Sequence, residues 1–429
     1  MKNKKQGIFL LMVTAIFFAG AVFANGSREK QTGNVTTVTW YASRPVGGAI
    51  DLTMREIAKQ YSAEHAGEWK LEIETTADRP SYLQKLKTLI AAGNMPDIID
   101  IDADPYCRQL VEANMLVDVK KFLKDNAVYD DFQETALRYQ EFTDGAMYTL
   151  PLEYHIEMIW YNKEIFSRYG LTVPGTMNDW LAACQLLKKN GITPLSVDGV
   201  DRWPVLRYMA MIPFRDCNNE YIINLRDGKA SLGDPEGVKA LDFMQKMGSY
   251  FNEGFAATDY ATAQSMFLTG KSAMYYIGDW EQGAMSDLYD QGKVDYFLLP
   301  MVPGAATKVN EYCANSGIGM AFNSETFDAK TKDFILYVIK NYGRLYAARM
   351  QMSPLKGDLP SDVSYTALYK RIKKDMDNFG YYFMKPWDTY LDPATNTVLG
   401  DNLLLVASGD MDKKTFIGLV DKSIQENHN

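Results

Sequence analysis

Carboxylates come first among the side chains that could do chemistry. Asp100, Asp102 and Asp104 alternate after an apolar run, and Glu153 and Glu157 flank His155. Two carboxyls astride a sugar linkage make a glycoside hydrolase, one as acid and the other as base or nucleophile. The sequence sets no distance between them, and loop carboxylates more often bind hydrogen-bond donors or water. Other chemistries fail on spacing. The three histidines, His65, His155 and His428, are far apart, and no Cys-x-x-Cys exists to build a zinc site. Gly270-Lys271-Ser272 ends like a phosphate loop, but Ser265 stands where that loop needs glycine, and a strand pattern follows. Gly317-Ile318-Gly319 opens like a dinucleotide fingerprint but has Phe322 in the third glycine's place. A Gly-x-Ser-x-Gly nucleophile elbow is absent. Neither a cofactor nor a metal is expected.

What remains is aromatic residues beside polar ones: Trp40-Tyr41, Tyr82, Tyr154-His155, Trp203, Asp279-Trp280, Tyr381-Tyr382 and Trp387. Flat rings cover the apolar faces of sugar rings, while carboxylates and amides take the hydroxyls. Any one ring is more often core. Their recurrence near strand ends points to binding a neutral polyol.

The elements that must position these groups follow from periodicity. Val35 to Tyr41 is β-rich, Trp69 to Glu74 alternates, and Pro96 to Ile101 is a short buried run. Between them, Met54, Ile57, Ala58 and Tyr61, then Tyr82, Leu86, Leu89 and Ile90, mark helical faces. This β-α-β-α-β order predicts a parallel sheet in an α/β layer, with ligands beyond the carboxyl ends of its strands. Those ends fall at Tyr41 to Arg44, Thr75 to Arg79, and Asp102 to Asp104. Tyr154 to Tyr161 reads as a strand joining two halves. Further strands are expected near 192–197, 271–280, 294–300 and 316–322, and a long helix over Thr331 to Met350.

A length of 429 residues favours two domains. Lys2, Lys4 and Lys5 precede the apolar run Gly7 to Val22, and Val22-Phe23-Ala24 forms a cleavage pattern. The expectation is a signal peptide over 1–24 without a lipobox cysteine, since the first cysteine is Cys107. Its removal takes three lysines and moves the net charge from −9 to −12. Such acidity argues against nucleic acid as a partner. Four cysteines do not make a disulfide scaffold; Cys184 reads as a buried thiol, with a bridge to Cys217 left open.

Several segments together resemble the extracellular solute-binding proteins of family 1. They are Leu116 to Val119, Met147 to Pro151, Ile159-Trp160-Tyr161-Asn162-Lys163-Glu164-Ile165-Phe166, Gly191 to Pro194, Phe267 to Met274, and Gly278-Asp279-Trp280. These proteins serve ABC importers of sugars, the maltose-binding type being the best known. The resemblance implies a two-lobed periplasmic-binding-protein fold of type II, α/β in each lobe, with a multi-segment hinge and a ligand cleft. It implies crossings near Glu153 to Glu157, Ser272 to Tyr275, and Asn315 to Gly319. The N-terminal lobe would be 35–153 plus 272–315, and the C-terminal lobe 154–271 plus 316–429. Carried over position by position, the ligand contacts would be Tyr41, Arg44, Arg79, Tyr82, Asp102, Asp104, Tyr154, His155, Trp203, Asp279, Trp280 and Trp387. Residues 352–400 match weakly.

The resulting expectation is a monomeric periplasmic protein, not an enzyme. It would capture a mono- or oligosaccharide and deliver it to the ABC permease subunits of the inner membrane. Arg44 and Arg79 leave an acidic sugar open. The alternatives are a secreted carbohydrate hydrolase using Asp102 or Glu153, and a binding protein feeding a chemosensory receptor.

Overall fold

The computed structural model describes residues 35–427. The expected signal peptide and His428 lie outside them. Nine strands occur among these residues: β1 (Thr36–Ala42), β2 (Trp69–Thr75), β3 (Ile98–Ile101), β4 (His155–Asn162), β5 (Thr193–Ser196), β6 (Ser272–Gly278), β7 (Val294–Phe297), β8 (Ala314–Asn315) and β9 (Gly319–Phe322). They form two sheets, in the orders β2-β1-β3-β9 and β5-β6-β4-β7, with β8 paired to β4.

In the first sheet β1 runs parallel to β2 and β3, as the β-α-β-α-β order predicts. Alternation then divides its side chains between two cores. Trp40, Ile98, Met320 and Phe322 face the helices Ala49–Glu64 and Ala329–Ala347. Tyr41, Ile99, Ile101 and Ala321 face the helices Arg79–Ala91 and Pro105–Glu112. Both faces are covered, so the short central strand β3 is apolar except for Asp100.

The second sheet is centred on β4, which pairs antiparallel with β6, β7 and β8. Seven of its eight residues are buried, in keeping with the aromatic and apolar residues that make Tyr154 to Tyr161 read as a strand. Its core takes in the helices Met177–Lys189, Trp203–Cys217, Pro235–Gly248 and Pro393–Ser408. Thr176 caps the first of these in a reciprocal capping box with Asp179.

The lobe boundaries differ from those expected. The division put 272–315 in the first lobe and 316–429 in the second. Instead β6 and β7 lie in the second sheet, while β9 lies in the first, antiparallel to β3. The helix Ala329–Ala347 packs on the helix Ala49–Glu64 of the first lobe. The physical reason is edge pairing. β6 is buried on both faces beside β4, whereas β9 supplies Met320 and Phe322 to one face of β3. No crossing therefore occurs at Ser272 to Tyr275. The chain crosses between Leu150, which bridges Met320, and β4. It crosses again between β8 and β9. The third passage follows Ala347, where Pro354 and Lys356 pair with Gln133 and Asp131 of the first lobe before the helix Ala367–Asp377 joins the second.

All four cysteines are free, which removes the Cys184–Cys217 bridge. Among the described residues no helix is long and apolar enough to cross a membrane.

Candidate functional site

The crossings carry a chain of alternating charges. Arg44, in the loop after β1, is buried, with its Nε donating to Asp100 at 2.9 Å and its Nη1 to Glu153 at 2.5 Å. Its Nη2 donates to the carbonyl of Ile318 in the second crossing. The other oxygen of Glu153 lies 3.0 Å from His155 Nε2, and His155 Nδ1 lies 3.3 Å from Asp279. Asp279 also accepts from the Ile156 amide at 2.8 Å. Asp100 belongs to the first sheet and Asp279 follows β6 of the second, so the chain of charges ties the lobes together at their hinge.

At His155 and Glu153 the neighbouring charges outweigh burial and favour the ionised form. Burial opposes a charge on His155, but Asp279 and Glu153 outweigh it and raise the imidazole to about 10. Burial also opposes ionisation of Glu153, and Arg44 and His155 overcome it, holding the carboxyl down at about 2. Gly317 makes room for this. Its φ is +57°, and a Cβ there would stand 2.1 Å from the Glu153 carboxylate. Gln140 braces the same crossing, donating to Ser316 Oγ at 3.0 Å and accepting from Thr149 at 2.7 Å.

Beside the chain, on the second lobe, two indoles meet. Trp203 opens a helix at the end of a loop after β5, and Trp280 follows β6; their ring centres are 6.1 Å apart. Trp280 stands edge-on to His155 at 5.4 Å. The Gly-x-Trp pattern has a local cause: a Cβ on Gly278 would lie 2.0 Å from the Trp280 ring, so only glycine lets the indole fold back over the strand end. Arg207 lies 5.1 Å from the centre of the Trp203 ring. It binds Glu157 at 3.1 and 3.2 Å and pairs with Asp388.

A cavity of about 730 Å³ lies between the lobes. The first lobe contributes Asp102, Asp104, Arg108, Tyr139 and Phe142, and the second Arg226, Phe383, Lys385 and Tyr390. The Tyr139 phenol, its pKa raised by burial, feels Arg207, Asp388 and Asp102, which connects this cavity to the hinge network. A second cavity of about 540 Å³, lined partly by Tyr154, lies between the helices Ala329–Ala347 and Ala367–Asp377. Among the described residues no group of three or more His, Cys, Asp or Glu is placed to hold a metal ion.

The sequence-predicted contacts separate into three groups. Asp102 and Asp104 line the large cavity; Asp102 pairs with Arg79 at 2.5 Å, and Asp104 caps the helix Pro105–Glu112. Arg44, His155, Asp279, Trp280 and Trp203 meet at the hinge, where both nitrogens of His155 already face carboxylates. Tyr41, Tyr82, Tyr154 and Trp387 are buried in this conformation. Tyr82 stacks on Tyr41 at 4.5 Å, and its hydroxyl joins two backbone groups, donating to Tyr41 O and accepting from Asp100 N. Trp387 packs on Tyr221. None of these four lines the larger cavity, and Tyr154 borders the second one. Sequence reasoning missed Tyr139, Arg207, Arg226 and Lys385. Arg207 had a signal, one turn after Trp203 and able to reach Glu157, but Lys385 sits in a stretch without a motif.

The model for the family described as bacterial extracellular solute-binding protein matches residues 48–341. An uncharacterized ABC transporter extracellular-binding protein of Pyrococcus horikoshii is 27% identical over 51% of this chain and 50% of its own length. A probable sugar-binding periplasmic protein of Mesorhizobium japonicum is 24% identical over 64% of each chain. These alignments thus span half to just under two thirds of the relatives. Among solved structures, a chitin oligosaccharide binding protein superposes with a TM-score of 0.75 at 21% identity, covering 92% of this chain and all of the other. The solute-binding protein RafE in complex with raffinose gives 0.64 at 17% identity, covering 91% and 98%. At these identities the likeness concerns the fold.

Proposed function

Since this chain belongs to the bacterial extracellular solute-binding proteins, we propose that it captures a saccharide between its lobes and delivers it to the permease of an ABC importer. The observation that carries this is the 730 Å³ cavity walled by both lobes, with carboxylates and aromatic rings together on its surface. Carboxylates take sugar hydroxyls and rings cover sugar faces. The names of several relatives point the same way. A ligand bound by both walls stabilises the closed arrangement by its differential affinity for it, and the closed form is the one a permease reads. We place the protein outside the cytoplasmic membrane, acting as a monomer and without nucleic acid.

The hydrolase alternative is weaker on chemical grounds. A general acid needs a proton near neutral pH. Glu153, at about 2, is held ionised between Arg44 and His155. Asp102 is paired with Arg79.

Titration calorimetry of the purified protein against mono- and oligosaccharides tests the proposal. Stoichiometric binding without product release is the expected result. Absence of binding across the panel, or sustained hydrolysis, overturns it.

A further inference from the structure

The charges around the large cavity are unevenly matched. On the first-lobe wall Asp102 and Asp104 each have a partner or a structural duty, and Glu112 also lines the cavity. Asp102 pairs with Arg79, and Asp104 accepts from the Cys107 amide at 2.8 Å. On the second-lobe side, Asp392 caps the helix Pro393–Ser408. The cations of that lobe are less well matched. Arg226 binds Asp227 through Nε and Nη2 and donates to the Tyr390 hydroxyl at 2.8 Å. Among the described residues Lys385 has no acidic partner within ion-pairing distance. Its Nζ stands 4.5 Å from the centre of the Tyr390 ring and 5.4 Å from that of Phe383. Glu141, an acid acting on it, is bound by Lys120 at 2.7 Å. Arg138, close by, stacks at 3.8 Å on Tyr381, and among the described residues it likewise pairs with no carboxylate. Arg44 and Arg79, the arginines that the sequence suggests for an acidic ligand, are both occupied.

A half-buried ammonium, crowded by other cations and bracketed by two rings, is a costly arrangement for a protein that binds only neutral solutes. Burial, then Arg226 and Arg138, depress Lys385 to about 8, so it still carries its charge near neutral pH. An anion entering the cavity would relieve that repulsion.

Building on the saccharide-capture reading, we propose that the cavity selects an acidic saccharide, a uronate whose carboxylate is bound by Lys385 with Arg226 beside it. The sugar's hydroxyls then meet the free acceptor oxygens of Asp102 and Asp104 on the opposite wall. Among the described residues that line the cavity, the carboxylate reaches the cation without an acidic partner, Lys385.

The test uses the whole chain and three probe sets: galacturonate and glucuronate as mono- and disaccharides, their methyl esters, and the neutral hexoses of the same configuration. The acids are expected to bind about tenfold to a hundredfold more tightly than the esters, the range of a hydrogen bond to a charged group. Lys385→Gln should erase most of that preference at an unchanged melting temperature, and Lys385→Arg should keep it. Equal affinity for acid and ester overturns the proposal, as does a preference indifferent to Lys385→Gln. Tight neutral binding with no acid preference overturns this proposal while sustaining saccharide capture. Failure of every saccharide to bind overturns both.

Discussion

Replacing His155 by Gln tests the ion chain at the hinge. The wild-type imidazole is raised to about 10 from the ordinary 6.5, so the stabilisation it provides is complete below pH 6.5 and is lost as the pH climbs toward 10. Each pH unit in that window is worth about 1.4 kcal/mol for one proton, which bounds the whole effect at about 5 kcal/mol. Breaking a buried ion pair by removing one partner costs about 3–5 kcal/mol, a range that agrees with the bound. On the acid side Glu153 has the opposite sign. Held at about 2, it contributes fully above pH 4.5 and less as the pH falls through 2. The wild type should therefore be about 3–5 kcal/mol more stable than His155→Gln near pH 6.5, with the gap narrowing to under about 1 kcal/mol near pH 9.5. Urea unfolding followed by tryptophan fluorescence at pH 6.5, 8 and 9.5 measures that gap. Taking the difference between the two proteins cancels the lysines, tyrosines and thiols that titrate in both. Parallel pH profiles, or an imidazole that NMR shows titrating near 6.5, would refute the reasoning.

Gly317→Ala should cost about 2–4 kcal/mol, combining a left-handed backbone with a Cβ driven into the Glu153 carboxylate; a melting temperature equal to the wild type's would count against it. Arg215 is fully buried and donates to the carbonyls of Pro300, Lys308 and Glu311 at 3.0, 2.8 and 2.6 Å. Arg215→Lys offers too few donors in the wrong geometry and should lose about 3 kcal/mol or more, seen as a lower urea midpoint; an unchanged midpoint would mean that water replaces the guanidinium.

Much of the fold was legible because its strands announce themselves. β4 reads as a strand from its aromatic and apolar residues, and the β-α-β-α-β opening leads directly to parallel β1, β2 and β3. The lobe assignment of β6 and β9 was not legible. Both are short apolar segments that would fit either sheet, and pairing is decided by which edge accepts the side chains, a property of the assembled core. Site residues show the same division. Gly278-Asp279-Trp280 could be found because the folded-back indole requires glycine two positions earlier. Tyr41 and Tyr82 carry the same aromatic signal as Trp203 and Trp280, yet they stack on each other inside the first lobe, since a place on a strand or helix face does not say what covers that face. Lys385 escaped notice because its importance lies in the partners it lacks, and a missing partner leaves no trace in sequence.

The placement of β9 also governs when the first lobe can finish folding. Its fourth strand and the helix that covers it lie between Gly319 and Ala347, beyond the whole of the second sheet in the chain. At about 5–20 residues per second, a ribosome needs roughly 15–60 s between making β1 and completing that helix. Once made, β3 keeps an unpaired edge for the rest of that interval, and the apolar face holding Trp40 and Ile98 has only the helix Ala49–Glu64 to cover it. A chain built this way stays unfinished, and so threadable through a narrow pore, for most of its own synthesis.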